Sequence, residues 1–171
     1  MAAISDSELL LISKSDQERL RNFADGAQFV RRSRVSIKRL QVRVANDRLK
    51  LVRLQLRDAE AANAAAPQLS RTAVSRAYYA MYHAARAATY LSFGGDDHEK
   101  HSMLPTKLPL DFPNSDIWKN KLKNARLERN RADYDPYPLG DASFVAICPG
   151  LISEAKELIK VTKQYLATKS I

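Results

Sequence analysis

The chain has 171 residues, 45% hydrophobic and 27% charged, with a formal net charge of +9. That length bounds one domain with a substantial core, and the composition is that of a soluble globular protein. A lone cysteine, Cys148, excludes an internal disulfide framework and suits a reducing interior.

At the N-terminus no charged region precedes an apolar one, so no signal peptide is expected. The apolar run Leu9-Leu10-Leu11-Ile12 is too short to span a bilayer. No membrane association is expected, and a cytoplasmic protein is the simplest reading. Residues 1–32 read as a weak helix, with Ser15 or Asp16 as a cap. The next stretch, RVSIKRLQVRVAN, alternates loosely through Val35, Ile37, Leu40, Val42 and Val44, and its β-branched residues allow a short strand or hairpin.

From Asp47 the period lengthens, with Leu49, Val52, Leu56, Ala59 and Asn63 at helical spacing as far as Ala66 and Pro67. This divides the chain into an N-terminal basic extension, 1–46, and a helical domain, 47–171. A second helix is expected over 70–92, stopped by Gly94-Gly95. A loop with Asp96, Asp97, His98 and His101 follows, then a short helix near 101–108, where His101 reads as a cap. Pro113-Asn114-Ser115 introduces a third long helix that runs to Tyr134, and Pro136 and Pro138 stop it. The last helix is expected over 151–168, with Pro149-Gly150 breaking any earlier start at Asp141. The fold class is all-α, an antiparallel up-and-down helical bundle.

The charge is uneven. Residues 31–57 hold ten basic groups against one acid, Asp47, a balance equal to that of the whole chain. Such a segment attracts polyanions, or simply presents a solvated face.

Two helices carry the candidate chemistry. In RTAVSRAYYAMYHAARAATYL, the residues Val74, Ala77, Tyr78, Met81, Ala84, Ala85 and Ala88 share an apolar face at 100° per residue. A second stripe holds Thr72, Arg76, Tyr79, His83, Arg86 and Tyr90, where a solvated face would more often carry Lys and Glu. Arg and Tyr at this density suit a contact between protomers or a nucleic-acid contact by stacking and guanidinium–phosphate pairing. On the third helix, Trp118, Leu122, Ala125, Arg129 and Ala132 share one stripe. Arg129 therefore stands at an apolar position and needs partners, of which Asp133 is one. HEKH at 98–101 is not a zinc motif, and neither a metal site nor a cofactor is expected. No phosphate-binding glycine loop or nucleophile elbow occurs.

AVSRAYYAMYHAARA, the following His101 and LERNRADY together resemble HEPN-domain proteins. Within them they are closest to the branch with an Arg-x-x-Ala-Asp-Tyr motif, matched here by Arg129, Ala132, Asp133 and Tyr134. The resemblance covers about residues 47–168. It implies a HEPN-like bundle that dimerises so that the motif arginines face a shared cleft. It further implies the toxin or effector half of a toxin–antitoxin or phage-defence module, partnered by a minimal nucleotidyltransferase antitoxin and acting on RNA or a nucleotide. Metal-independent ribonuclease activity is implied for many members, with Arg129, Asn130, Asp133 and Tyr134 as the catalytic set and Arg76, Tyr79, His83 and Arg86 as nucleic-acid contacts. The family's usual motif histidine would fall at Tyr134, Asp135 or Pro136, and none of these is His. The alternative is a non-catalytic adaptor that binds a protein partner or nucleotide in its dimer cleft.

Overall fold

A computed structural model describes residues 5–95, 98–137 and 140–169, so Asp96, Asp97 and Pro138 lie outside the described residues. Among the described residues every regular element is helical: α1 (Asp6–Ser13), α2 (Gln17–Ser33), α3 (Ile37–Ala64), α4 (Ser70–Ser92), a 3-10 turn (Leu104–Lys107), α5 (Ser115–Tyr134) and α6 (Ala142–Lys169). The chain falls into two compact units, Met1–Leu40 and Gln41–Ile171. The boundary lies inside α3, whereas the change of period at Asp47 places it after residue 46.

The first unit holds two helices where the sequence reads as one. Ser5 starts α1: the Glu8 amide donates to Ser5 Oγ at 3.4 Å and the Ser5 amide donates to Glu8 Oε2 at 2.7 Å, a capping box. Asp16 starts α2 by accepting from the Arg19 amide at 2.8 Å. That helix ends on Arg34 in the left-handed region, φ 54°. Neither helix has a buried residue.

The hairpin allowed by Val35 to Val44 is not there. Ser36 caps a helix instead, accepting from the Arg39 amide at 3.3 Å, and α3 runs unbroken through the β-branched residues. The cause is burial at period 3.6. Ala45, Leu49 and Val52 are at most 5% exposed while Ile37 and Val44 are about 40% exposed. Packing of one stripe overrides a strand preference worth at most about 1 kcal/mol.

In the second unit, side-chain links fix the helix directions. Gln41 and Arg76 tie α3 to α4 through Gly94 O and Gln55 Oε1, and Ala62 O accepts from Leu69, so these helices run antiparallel. The pairs Ser75–Asp133 and Tyr79–Arg129 make α4 and α5 antiparallel. Lys121 pairs with Glu154 and Glu157, and Lys121 and Glu128 line one cleft with Ala146 and Glu154, so later α5 residues meet earlier α6 residues and the two helices run antiparallel. The unit is therefore the expected up-and-down bundle.

At its centre, α4 has thirteen buried residues of 23, including all seven assigned to its apolar face. Gly94 and Gly95 end it at positive φ, 67° and 124°, as a helix stop requires. Pro149 does not break α6, although an interior proline costs about 3 kcal/mol. Phe144, Cys148 and Ala155, all 0% exposed, flank it on the buried stripe. Burial of Phe144, Ile152 and Leu158 on the same helix contributes about 1.5–3 kcal/mol each, which together outweighs that cost.

Candidate functional site

The site is built where the start of α4 meets the end of α5, and Arg71 fixes that meeting. Its Nη1 donates to the carbonyls of Ala132 at 3.2 Å and Asp135 at 2.8 Å, and its Nε donates to Asp141 Oδ1 at 2.9 Å. The last carbonyls of a helix have no partners within it, and its C-terminus attracts a cation. The same bond is the main reason the Asp141 carboxyl titrates below the usual range. The turn that carries Asp133 and Tyr134 is thus held from outside its own helix.

One turn back, Arg129 is only 14% exposed in its side chain. Its Nη2 donates to Tyr79 Oη at 2.5 Å and its Nη1 to Asn130 Oδ1 at 3.1 Å. The Asp133 Oδ2 lies 2.7 Å from Nε as an ion pair, yet the buried Nε–H has no acceptor aligned with it. The guanidinium carbon lies 5.1 Å from the Tyr79 ring centre and 5.0 Å from that of Tyr134, with Tyr134 68% exposed. Ser75 of α4 donates to Asp133 Oδ2 at 3.3 Å. The structure therefore brings Arg129, Asn130, Asp133, Tyr134 and Tyr79 into one cluster.

The other members of the α4 stripe go elsewhere. Arg76 is exposed and donates to Gln55 of α3 at 3.2 Å. Arg86 lies over the Tyr82 ring and 4.0 Å from Glu99. His83 stacks toward Tyr79 at 6.4 Å and meets Tyr82 edge-on at 5.2 Å, with its Nδ1 buried and unpartnered. Burial first, then Arg86 and Arg48, lower its pKa to about 4, so this imidazole is neutral at physiological pH.

No known family, curated protein or solved structure matches the chain.

Four side chains outside the expected site belong to it: Tyr78, Tyr82, His101 and Arg126. His101 does not cap a helix: its Nδ1 is 2.7 Å from Tyr78 Oη, and its ring stacks on Tyr82 at 4.0 Å and 12°. The Tyr82 hydroxyl donates in turn to the Glu99 carbonyl, which pins the segment before the 3-10 turn. Burial, then the charges of Arg129, Arg86 and Arg126, hold the His101 pKa below its ordinary value. Burial also pushes the Tyr78 phenol upward, so it stays protonated. Arg126, half-buried on α5, has its Nε buried without a hydrogen-bond partner. The sequence held a signal for Arg126, because 126, 129, 130 and 133 follow the i, i+3, i+4, i+7 spacing of one helix face. His101 had no such signal, since its place depends on how a loop returns across α4.

Chemically, Arg86, Arg126 and Arg129 stand against the carboxylates of Glu99 and Asp133, with two imidazoles held neutral. Among the described residues no cluster of three His, Cys, Asp or Glu could hold a metal ion, and no helix is long and apolar enough to cross a membrane.

Proposed function

We propose that this chain is a HEPN-like protein that binds RNA through a phosphodiester received at Arg129. In this reading it is the toxin or effector half of a two-component defence module, working as a homodimer beside a nucleotidyltransferase antitoxin. The supporting observation is the Arg129 guanidinium set between the Tyr79 and Tyr134 rings at the edge of a cluster richer in guanidinium than in carboxylate. A planar fork beside aromatic faces is suited to a phosphate oxygen and an adjoining base.

A second reading, the non-catalytic adaptor, draws on a specific feature of the same residue. Asn130 and Tyr79 already accept from its two terminal nitrogens and Asp133 pairs with its charge, as a structural arginine requires. The two readings separate in a binding titration of labelled single-stranded RNA. Arg129→Lys keeps the charge and loses the fork, and it should weaken binding about tenfold or more, the scale of a charge-assisted bond. Parental affinity in an Arg129→Lys variant with an unaltered melting curve would sink the RNA-binding proposal.

A further inference from the structure

The proposed reading leaves an RNA phosphodiester with a receptor and no proton-transfer group, because the family's motif histidine is missing. His101 and Arg126 are half-buried polar groups of the cluster that the Arg129 motif does not use. Tyr79 connects His101 to the motif: its hydroxyl accepts from Arg129 Nη2 at 2.5 Å, and its ring stands edge-on to the His101 ring at 5.8 Å, while the Arg126 charge acts on the same imidazole. The imidazole is therefore about one ring away from the guanidinium, brought there by the loop rather than by the motif.

Resting on the RNA-binding reading, we infer that His101 is the proton-transferring catalytic residue of the Arg129 site and that Arg126 is its second phosphate contact. Tyr78 holds Nδ1, and in the tautomer where Nδ1–H donates to Tyr78 Oη the Nε2 lone pair is left for a ligand. Stacking on Tyr82 fixes the ring plane. The buried, unpartnered Nε of Arg126 is an uncompensated donor in the free protein, and a phosphate oxygen would satisfy it.

The step balances with water alone. His101 Nε2 takes the proton of the ribose 2′-hydroxyl as the 2′-oxygen bonds to phosphorus and the bond from phosphorus to the 5′-oxygen breaks. The leaving 5′-oxygen takes a proton from water, and His101 returns its proton to solvent. The products are a 2′,3′-cyclic phosphate and a 5′-hydroxyl. Arg126 and Arg129 hold the non-bridging oxygens as their charge grows.

The groups around the imidazole are Tyr78, Tyr79, Tyr82, His83 and Arg86 of α4 and Arg126 and Arg129 of α5, and the Glu99 carboxylate of its own loop lies 4.0 Å from Arg86. Burial and then the arginines disfavour the imidazolium, so the neutral base persists into more acid solution than an ordinary imidazole allows, and activity should fall only there.

The test uses the full chain with a 5′-labelled single-stranded RNA and the DNA of the same sequence, both in chelator. RNA should be cleaved and DNA bound without cleavage. His101→Gln should bind RNA within about twofold of the parent, cleave at least about 100-fold more slowly and lose the acid limb of the rate profile. Arg126→Ala should weaken RNA and DNA alike by about tenfold and reduce the salt slope by about one. Should His101→Gln melt early, Tyr78→Phe decides, since it keeps both rings and should move the acid limb. An unmoved limb there, or parental cleavage by His101→Gln, overturns the proposal. A parent chain that binds RNA without cutting it overturns the role of His101 and leaves the RNA-binding reading standing, whereas one that binds neither strand removes both.

Discussion

Both α2 and α4 alternate apolar and basic residues at helical spacing, and they reach opposite states. In α2, Leu20, Phe23, Phe29 and Val30 are 37–49% exposed, and an open groove of about 860 Å³ runs along Phe23, Phe29, Val30 and Ile37. In α4, Val74, Tyr78 and Met81 are at most 2% exposed. Side-chain size accounts for much of this. Ala73, Ala77, Ala80, Ala84, Ala85, Ala87 and Ala88 let neighbouring helices approach α4 from several sides, and all seven are 0% exposed. The α2 face is built of large side chains with arginines beside them, such as Arg32 lying 5.3 Å over Phe29. Periodicity reveals that a face exists, and small residues decide how closely it can be covered.

The largest expected effect tests this contrast directly. Phe144→Ala, at a 0% exposed position in the bundle, should cost about 3–5 kcal/mol in urea unfolding. Phe29→Ala, at 49% exposure, should change stability by less than about 0.5 kcal/mol. Equal losses from the two would mean that the α2 face is covered in solution, by a second copy or another partner.

A smaller effect sharpens the same contrast among arginines. Arg71→Ala strips partners from the α5 carbonyls of Ala132 and Asp135 and from Asp141, and should cost about 1–3 kcal/mol by thermal or urea unfolding. Arg21→Ala, on the exposed α2, should move stability by less than about 0.5 kcal/mol. Because Arg71 holds the turn that carries Asp133, its loss should also weaken any ligand of Arg129. A stable Arg71→Ala variant with unchanged melting would show that the α5 terminus needs no outside partner.

How far the sequence was legible follows from where the information lay. The span of α4 and the apolar stripe of α5 were local, written in spacing and in Gly94-Gly95, and they are as read. So was the placement of Arg129 among buried neighbours with Asp133 four residues on. The hairpin expectation failed because Val42 and Val44 expressed a local preference, whereas burial of Ala45 and Leu49 came from contacts made elsewhere in the chain. The break at Pro149 failed for the same reason. Arg76 was grouped with Tyr79 on a projection that shows angle but not neighbours, and α3 takes one while α5 takes the other. His101 could not be located at all without the loop that carries it back to Tyr78.

The smallest expected effect concerns pH, and there too the two regions differ. The chain's three histidines, at 83, 98 and 101, all fall in the second unit, so no imidazole of the α1–α2 region titrates. His83 has a folded pKa of about 4 against an ordinary 6.5, lowered by burial and by Arg86 and Arg48. Between those values the unfolded chain binds a proton that the folded chain refuses. Stability from this group is therefore complete above about pH 6.5 and is lost as pH falls toward 4. His101, lowered in the same direction, adds to that loss. His83→Gln should leave stability near pH 7 little changed and make the decline between pH 6.5 and 4 shallower than in the parent. Chemical denaturation at stepped pH reads this slope. An identical slope in both proteins would mean that the His83 imidazole is hydrated and free to protonate in the folded chain, and that the bundle is more open around it than its packing indicates.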